Sequence, residues 1–262
     1  MQAPGALFLN QPFSPDPLRA DFMFYVMLGV IGVVGSFLLF FFIVCLCERQ
    51  RLTGDVEPAS EPFPYPPAPY WTATRDDAMK YGLQHAGDFA TRKKSSVVKG
   101  LLSLFVSRDR QVLAAIVCGS FAAAKTRKTI LRSRLATGRI LESSDEGGIE
   151  DLSGVVERAV LINAGISELM AFHLQRLQTS GSTALAFDAQ APLQEYERID
   201  MERGARWVLL GLARWVGPER AAIRMTPRGA FATMKKLINQ TQKMKNQHQR
   251  IHIRRAGSRP GD

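Results

Sequence analysis

Cysteine is scarce in this chain: three residues, Cys45, Cys47 and Cys118, among 262. Three thiols cannot staple a small secreted domain, so a disulfide scaffold is excluded. Histidine is nearly as scarce, with only His85, His173, His248 and His252. No G-x-G-x-x-G, Walker A, G-x-S-x-G or H-E-x-x-H pattern occurs, so none of the usual sequence signatures of a dinucleotide, phosphate, acyl-transfer or zinc site is present. The most informative absence is of charge. Phe22 to Cys47 is 26 residues without one charged side chain. What is present places the chain among ordered proteins: 46% hydrophobic and 22% charged residues exclude a wholly disordered, collagen-like or polytopic membrane chain.

The charge-free run is long enough to cross a bilayer as a helix, which needs about 20 apolar residues. A cleaved signal peptide fits poorly. The preceding 21 residues carry only Arg19 against Asp16 and Asp21, the apolar run is too long, and no small-residue cut site follows. A lipoprotein signal fits poorly too, because Val44 precedes Cys45. The expectation is a retained single-pass helix, integral to the lipid bilayer, over 22–47. Arg49 and Arg51 follow it directly and Arg19 stands alone before it. The basic side is the inner side, so the N-terminal tail, 1–21, is expected outside and the rest in the cytoplasm. Gly29, Gly32, Gly35 and Ser36 are small, and Gly32 with Ser36 makes a small-xxx-small pair through which a homodimer could form. The plain alternative is that glycine is common in such helices. Cys45 and Cys47 at the boundary invite acylation or serve as apolar filler.

Pro58, Pro62, Pro64, Pro66, Pro67 and Pro69 crowd the next segment, which predicts an extended, semi-rigid linker over 48–70 lifting a domain off the bilayer. Beyond it the expected fold class is α+β: a helix packed on an antiparallel meander, then helices and a C-terminal hairpin and helix. Thr74-Arg-Asp-Asp77 suggests a helix start running to Ala86. Residues 97–107, 111–121, 129–135 and 139–143 read as strands, with turns at Ser107-Arg-Asp-Arg110 and Ala136-Thr-Gly138. Asp151-Leu-Ser153 suggests the cap of a long helix over 155–177, closing an α+β domain over 71–190. A further helix is expected over 193–210.

The last sixty residues hold the basicity. From Arg203 onward there are fourteen Lys and Arg against Glu219 and Asp262, whereas the first 202 residues are close to neutral. Leu212–Val216 and Arg220–Met225 should pair across Gly217-Pro218, with Thr226 capping a helix that Pro227 begins. Helix, hairpin and T-x-x-G resembles the wing of winged-helix domains over fewer than twenty residues, within 191–230. No three-helix turn motif precedes it. Arg214, Arg220 and Arg224 would be its phosphate contacts. From 231 onward a basic amphipathic helix and tail is expected. Lys235, Lys236, Lys243, Lys245, Arg250, Arg254 and Arg255 interleave there with Met234, Leu237, Ile238, Thr241 and Met244. Its candidate partners are the anionic inner leaflet, an acidic protein or nucleic acid; a solvated terminus is the plain alternative.

No residue set announces catalysis. His173 falls on an apolar stripe and reads as a hydrogen-bonded core histidine. His248 and His252 sit i, i+4 without acidic or thiol neighbours. Glu142-Ser-Ser-Asp-Glu146 reads as an exposed turn rather than a cation loop. No catalytic, metal or cofactor residue is expected. The sequence favours a non-enzymatic, membrane-anchored interaction or scaffold protein, and second to it a membrane-tethered nucleic-acid-binding regulator.

Overall fold

The computed structural model describes residues 17–47, 49–52, 56–64, 67–91, 98–121, 124–147, 151–217 and 222–239. The chain divides into two compact units, Met1–Val44 and Cys45–Asp262.

The first unit is dominated by one helix, α1, Pro17–Cys47, which runs on into the start of the second. Proline stands at its first position, where the missing N–H costs nothing. At 1.5 Å per residue, 31 residues make a rod of roughly 46 Å. The stretch Phe24–Cys47 is long and apolar enough to cross a membrane, and most of its described side chains before Cys45 are exposed.

The second unit is mixed α and β. Its large sheet takes the order β2 (Val56–Pro58), β3 (Gln84–Thr91), β4 (Val98–Val106), β5 (Leu113–Phe121), β6 (Ala124–Leu135), β7 (Ile140–Ser144) and β8 (Val156–Val160). All neighbours are antiparallel except β7 and β8. A two-residue strand, β9 (Ala184–Leu185), pairs with the end of β6. The central strands are apolar on both faces, the pattern of a sheet covered on both sides. Leu101 and Phe105 of β4 join Ala114, Ile116 and Leu131 on one face. That face is covered by α2 (Pro69–Lys80) through Trp71 and Ala78, and by α3 (Ile166–Thr179) through Ile166, Leu169 and Met170. On the other face lie Leu104, Val106, Leu113 and Ala115, covered by α4 (Pro192–Leu209) through Leu193, Tyr196 and Ile199. Three layers thus enclose two apolar seams.

A small second sheet closes the unit, in the order β1 (Arg49–Arg51), β11 (Ala222–Met225), β10 (Ala213–Val216). Its inner face sets Ala213, Trp215 and Ile223 with Leu52 against Met201, Trp207 and Val208 of α4. Thr226 accepts from the Gly229 N–H at 3.1 Å and caps the last described helix, α5, residues 227–239. This helix lies so close to the hairpin that a Cβ on Gly229 would fall 1.8 Å from the Leu212 carbonyl oxygen.

Three expectations are corrected. Residues 155–177 are not one helix. Val156–Val160 is a strand parallel to β7, Asn163 turns the chain at φ 59°, and α3 begins only at Ile166. The Asp151 carboxylate does cap backbone amides, those of Ser153 and Val156, but in a turn leading into a strand; the same chemistry serves helix starts and Asx turns. The first helix after the prolines spans Pro69–Lys80 instead of starting at Thr74. The Thr74 hydroxyl donates back to the Tyr70 carbonyl at 2.8 Å, and Gly82 at φ 94° ends the helix. The segment 48–70 is not a free spacer: Arg49–Arg51 pairs with β11, Val56–Pro58 pairs with β3, Leu52 is buried, and Phe63 packs edge-on against Trp71. Extended, proline-rich chain has unspent backbone donors and acceptors at its other positions, and sheet edges use them.

Candidate functional site

The candidate surfaces are built first from the apolar helix. Phe22, Gly29, Gly32, Ser36 and Cys47 all lie in α1. Gly29 and Gly32 would admit a Cβ with nothing within 4 Å, so no described group covers that face. Large side chains are exposed along the helix, Val33 at 72% and Phe40 at 66% among them.

The basic candidates separate into groups. Arg214 is exposed on β10 and Arg224 half-buried on β11, directly opposite one another. Lys235 is exposed on α5. Lys236 is not a free surface charge: its Nζ donates to the Asp151 carbonyl at 2.9 Å and ties α5 to the loop before β8. The inner face of α5 is Gly229, Ala230 and Thr233, while Met234 and Leu237 are half-buried and Ile238 is exposed. The helix is therefore docked on the hairpin over its first turns, and only its far side is open. Arg220, Lys243, Lys245, Arg250, Arg254 and Arg255 lie outside the described residues, as do Thr241, Met244, His248 and His252. The structure adds a residue to the set that sequence reasoning used only for orientation: Arg49 of β1 stands opposite Arg224. The signal was the alternation Arg-Gln-Arg over 49–51, which reads as strand only once its partner, about 175 residues on, is known.

The buried titratable groups are engaged in structure. His173 is fully buried between two serines. Ser133 Oγ donates to the Gln111 carbonyl, so the 2.9 Å contact to His173 Nε2 has the imidazole donating. Arg176 donates to Ser143 Oγ, whose own proton then goes to His173 Nδ1 at 2.9 Å. This assigns a neutral Nε2–H tautomer, and the serine facing Nε2 has already spent its proton. A general base would need the reverse. Burial, reinforced by the Arg176 charge, pushes the imidazole down to about 3. The expectation of a hydrogen-bonded core histidine agrees with this geometry.

A folded-state pKa below the ordinary value means that the unfolded chain binds the proton first. His173 therefore contributes stability above about pH 6.5 that is lost as pH falls toward 3, at up to about 1.4 kcal/mol per pH unit. Denaturant midpoints of the full chain in detergent should fall over this window, and His173→Gln should flatten that part of the profile. An unchanged slope in the variant would assign the loss to other groups.

Glu142 is likewise spent. It is fully buried, with Arg132 Nε donating to one oxygen at 3.0 Å and Arg158 Nε to the other. Asp145 accepts the Thr129 N–H at 2.7 Å and the Tyr70 hydroxyl at 2.7 Å. Burial and Asp145 together push that phenol up to about 12, against the opposing hydrogen bond of Thr129. Glu142 to Glu146 is thus not the exposed turn expected: its first four residues are buried, with Glu142 and Asp145 occupied. Beside β3 opens a cleft of about 710 Å³, where Asp88 accepts from Arg75, Ser103 and His85. Among the described residues no three His, Cys, Asp or Glu side chains converge as metal ligands.

No protein-family model, curated protein or solved structure matches the chain.

Proposed function

We propose that this is a non-enzymatic, single-pass membrane-anchored protein, N-terminus outside, whose second unit is a cytoplasmic interaction or scaffold domain. One observation carries the reading. Phe24–Cys47 is apolar on every side and most of its described side chains are exposed, a surface that water solvates poorly and lipid solvates well. Arg49 and Arg51 directly after it support the inward direction. The internal engagement of His173, Glu142, Asp145 and Asp88 supports a binding role over a chemical one. The partners under this reading are the bilayer, its anionic inner leaflet or an acidic protein, and a second copy through Gly32 and Ser36. Protease added to sealed right-side-out vesicles should leave the second unit intact. Its digestion from outside would overturn the orientation.

A second reading, a membrane-tethered nucleic-acid-binding regulator, is favoured by Arg214 and Arg224 on the β10–β11 hairpin immediately before the capped α5. Titration of the full chain with duplex DNA decides it, since phosphate contacts make binding steeply salt-dependent.

A further inference from the structure

The charged rows of the two sheets are opposites. Across β6, β7 and β8, Arg132, Glu142 and Arg158 are register partners, and the central carboxylate binds both guanidinium groups. Across β1, β11 and β10, the register partners are Arg49, Arg224 and Arg214. Directly opposed residues project from one face of a sheet. Here that face is the one turned away from Trp215, Ile223 and the α4 contact. Among the described residues, eight other arginines of the unit hold a carboxylate. Among the described residues none of these three does, and Arg224 Nε is buried without a hydrogen-bond partner. The Arg49 side chain leans across to the hairpin: a Cβ on Gly217, which holds φ 87°, would meet its Nη2 at 2.9 Å. Like charges directly opposite one another are unfavourable in a sheet unless an anion joins them.

The chain says where that anion is met. Arg49 follows Cys47, the last residue of α1, by two positions. Two extended residues reach about 7 Å. With α1 in a bilayer, Arg49 begins within that reach of the end of the span, where the headgroups lie. Guanidinium forks match phosphate oxygens in pairs.

We propose that Arg49, Arg224 and Arg214 bind the phosphates of anionic phospholipid headgroups in the leaflet from which α1 emerges, seating the small sheet on the membrane. This rests on the membrane-anchored reading.

The test uses the full chain in nanodiscs of phosphatidylcholine alone or mixed with phosphatidylserine. Amide hydrogen exchange is followed over 213–217 and 222–225, with β4 and β5 as the internal reference. A ligand that binds only the formed sheet suppresses its opening. Exchange in the small sheet should slow by about tenfold or more in the anionic discs, with β4 and β5 unchanged. The Arg49→Gln/Arg214→Gln double variant, altered only at exposed positions, should lose the difference. Equal exchange in both disc types, with the chain inserted in both, overturns the proposal and leaves the anchor standing. Failure to enter either disc type overturns the anchored reading and the proposal with it. Slowing by duplex DNA in neutral discs, with none from phosphatidylserine, assigns the row to nucleic acid instead.

Discussion

Glu142→Gln should lower the unfolding free energy by about 3–5 kcal/mol, a large part of the 5–15 kcal/mol that a domain has. The carboxylate is fully buried and lies between Arg132 and Arg158. Removing its charge takes one carboxylate from two largely buried guanidinium groups in a medium that solvates them poorly, so the cost is their weakened compensation more than the net worth of the pairs. The damage extends beyond the strands. Arg132 also reaches Asp200 of α4 at 3.2 Å and lies 4.5 Å from the Tyr196 ring centroid, so one cluster joins the sheet to the helix on its second face. The control is Glu157→Gln, whose side chain is 46% exposed where it meets Arg139. An exposed pair of this kind contributes at most about 1 kcal/mol. Denaturant titration of both variants in detergent measures the difference, and equal losses would mean that the buried cluster contributes nothing special. Burial alone would raise the Glu142 pKa, but Arg132 and Arg158 outweigh it and bring the group to about 2. Its contribution is therefore complete above about pH 4.5 and lost as pH falls toward 2.

Much of the sheet is legible in the sequence because local chemistry determines it. Leu101–Val106 and Val112–Ile116 are too apolar for a surface strand, and both are buried throughout. Ser107 to Arg110 folds as a turn because the Ser107 hydroxyl bonds Asp109 and Arg110 takes φ 61°. Thr226 and Pro227 mark α5 by capping chemistry alone. The misreadings arise where one local signal serves two structures. Asp151 caps amides in either a helix or a turn, and Val156, Ala159 and Ile162 match a helical stripe by accident of spacing. Proline content implies extended chain, which Val56–Pro58 adopts, but not that a sheet edge accepts it. Leu52 shows the limit most sharply. It fills a notch made by Gly204 of α4, where a Cβ would fall 2.3 Å away, and nothing near residue 52 in sequence announces that partner. The basic surface divides in the same way. Arg214 and Arg224 are read from charge and a short hairpin, whereas Arg49 joins them only through a register between distant segments.

Val33→Arg combined with Phe37→Arg should release the full chain from membranes into the alkaline carbonate supernatant, where the native chain stays in the pellet. Both residues are exposed in the middle of α1, at 72% and 64%, so neither substitution removes packing within the chain. What changes is the solvent the helix prefers. On the scale of helix insertion, an arginine at mid-span costs about 2.5–3.5 kcal/mol, and two add to roughly 5–7 kcal/mol. Mid-span placement matters, because a long side chain near a helix end reaches the headgroups and escapes most of the penalty. Val33→Leu with Phe37→Leu keeps the apolar surface and should leave the chain in the pellet. If the helix instead covered an apolar face of a soluble partner, the native chain itself would come away in carbonate. If it were a leader that is cut off, the mature product would leave the pellet and lack residues 22–47, which sequencing of its N-terminus detects. Retention of the double-arginine variant in the pellet would show that something other than α1 holds the chain to the membrane. In that case the arginine row of the small sheet could not owe its position to the helix two residues before it.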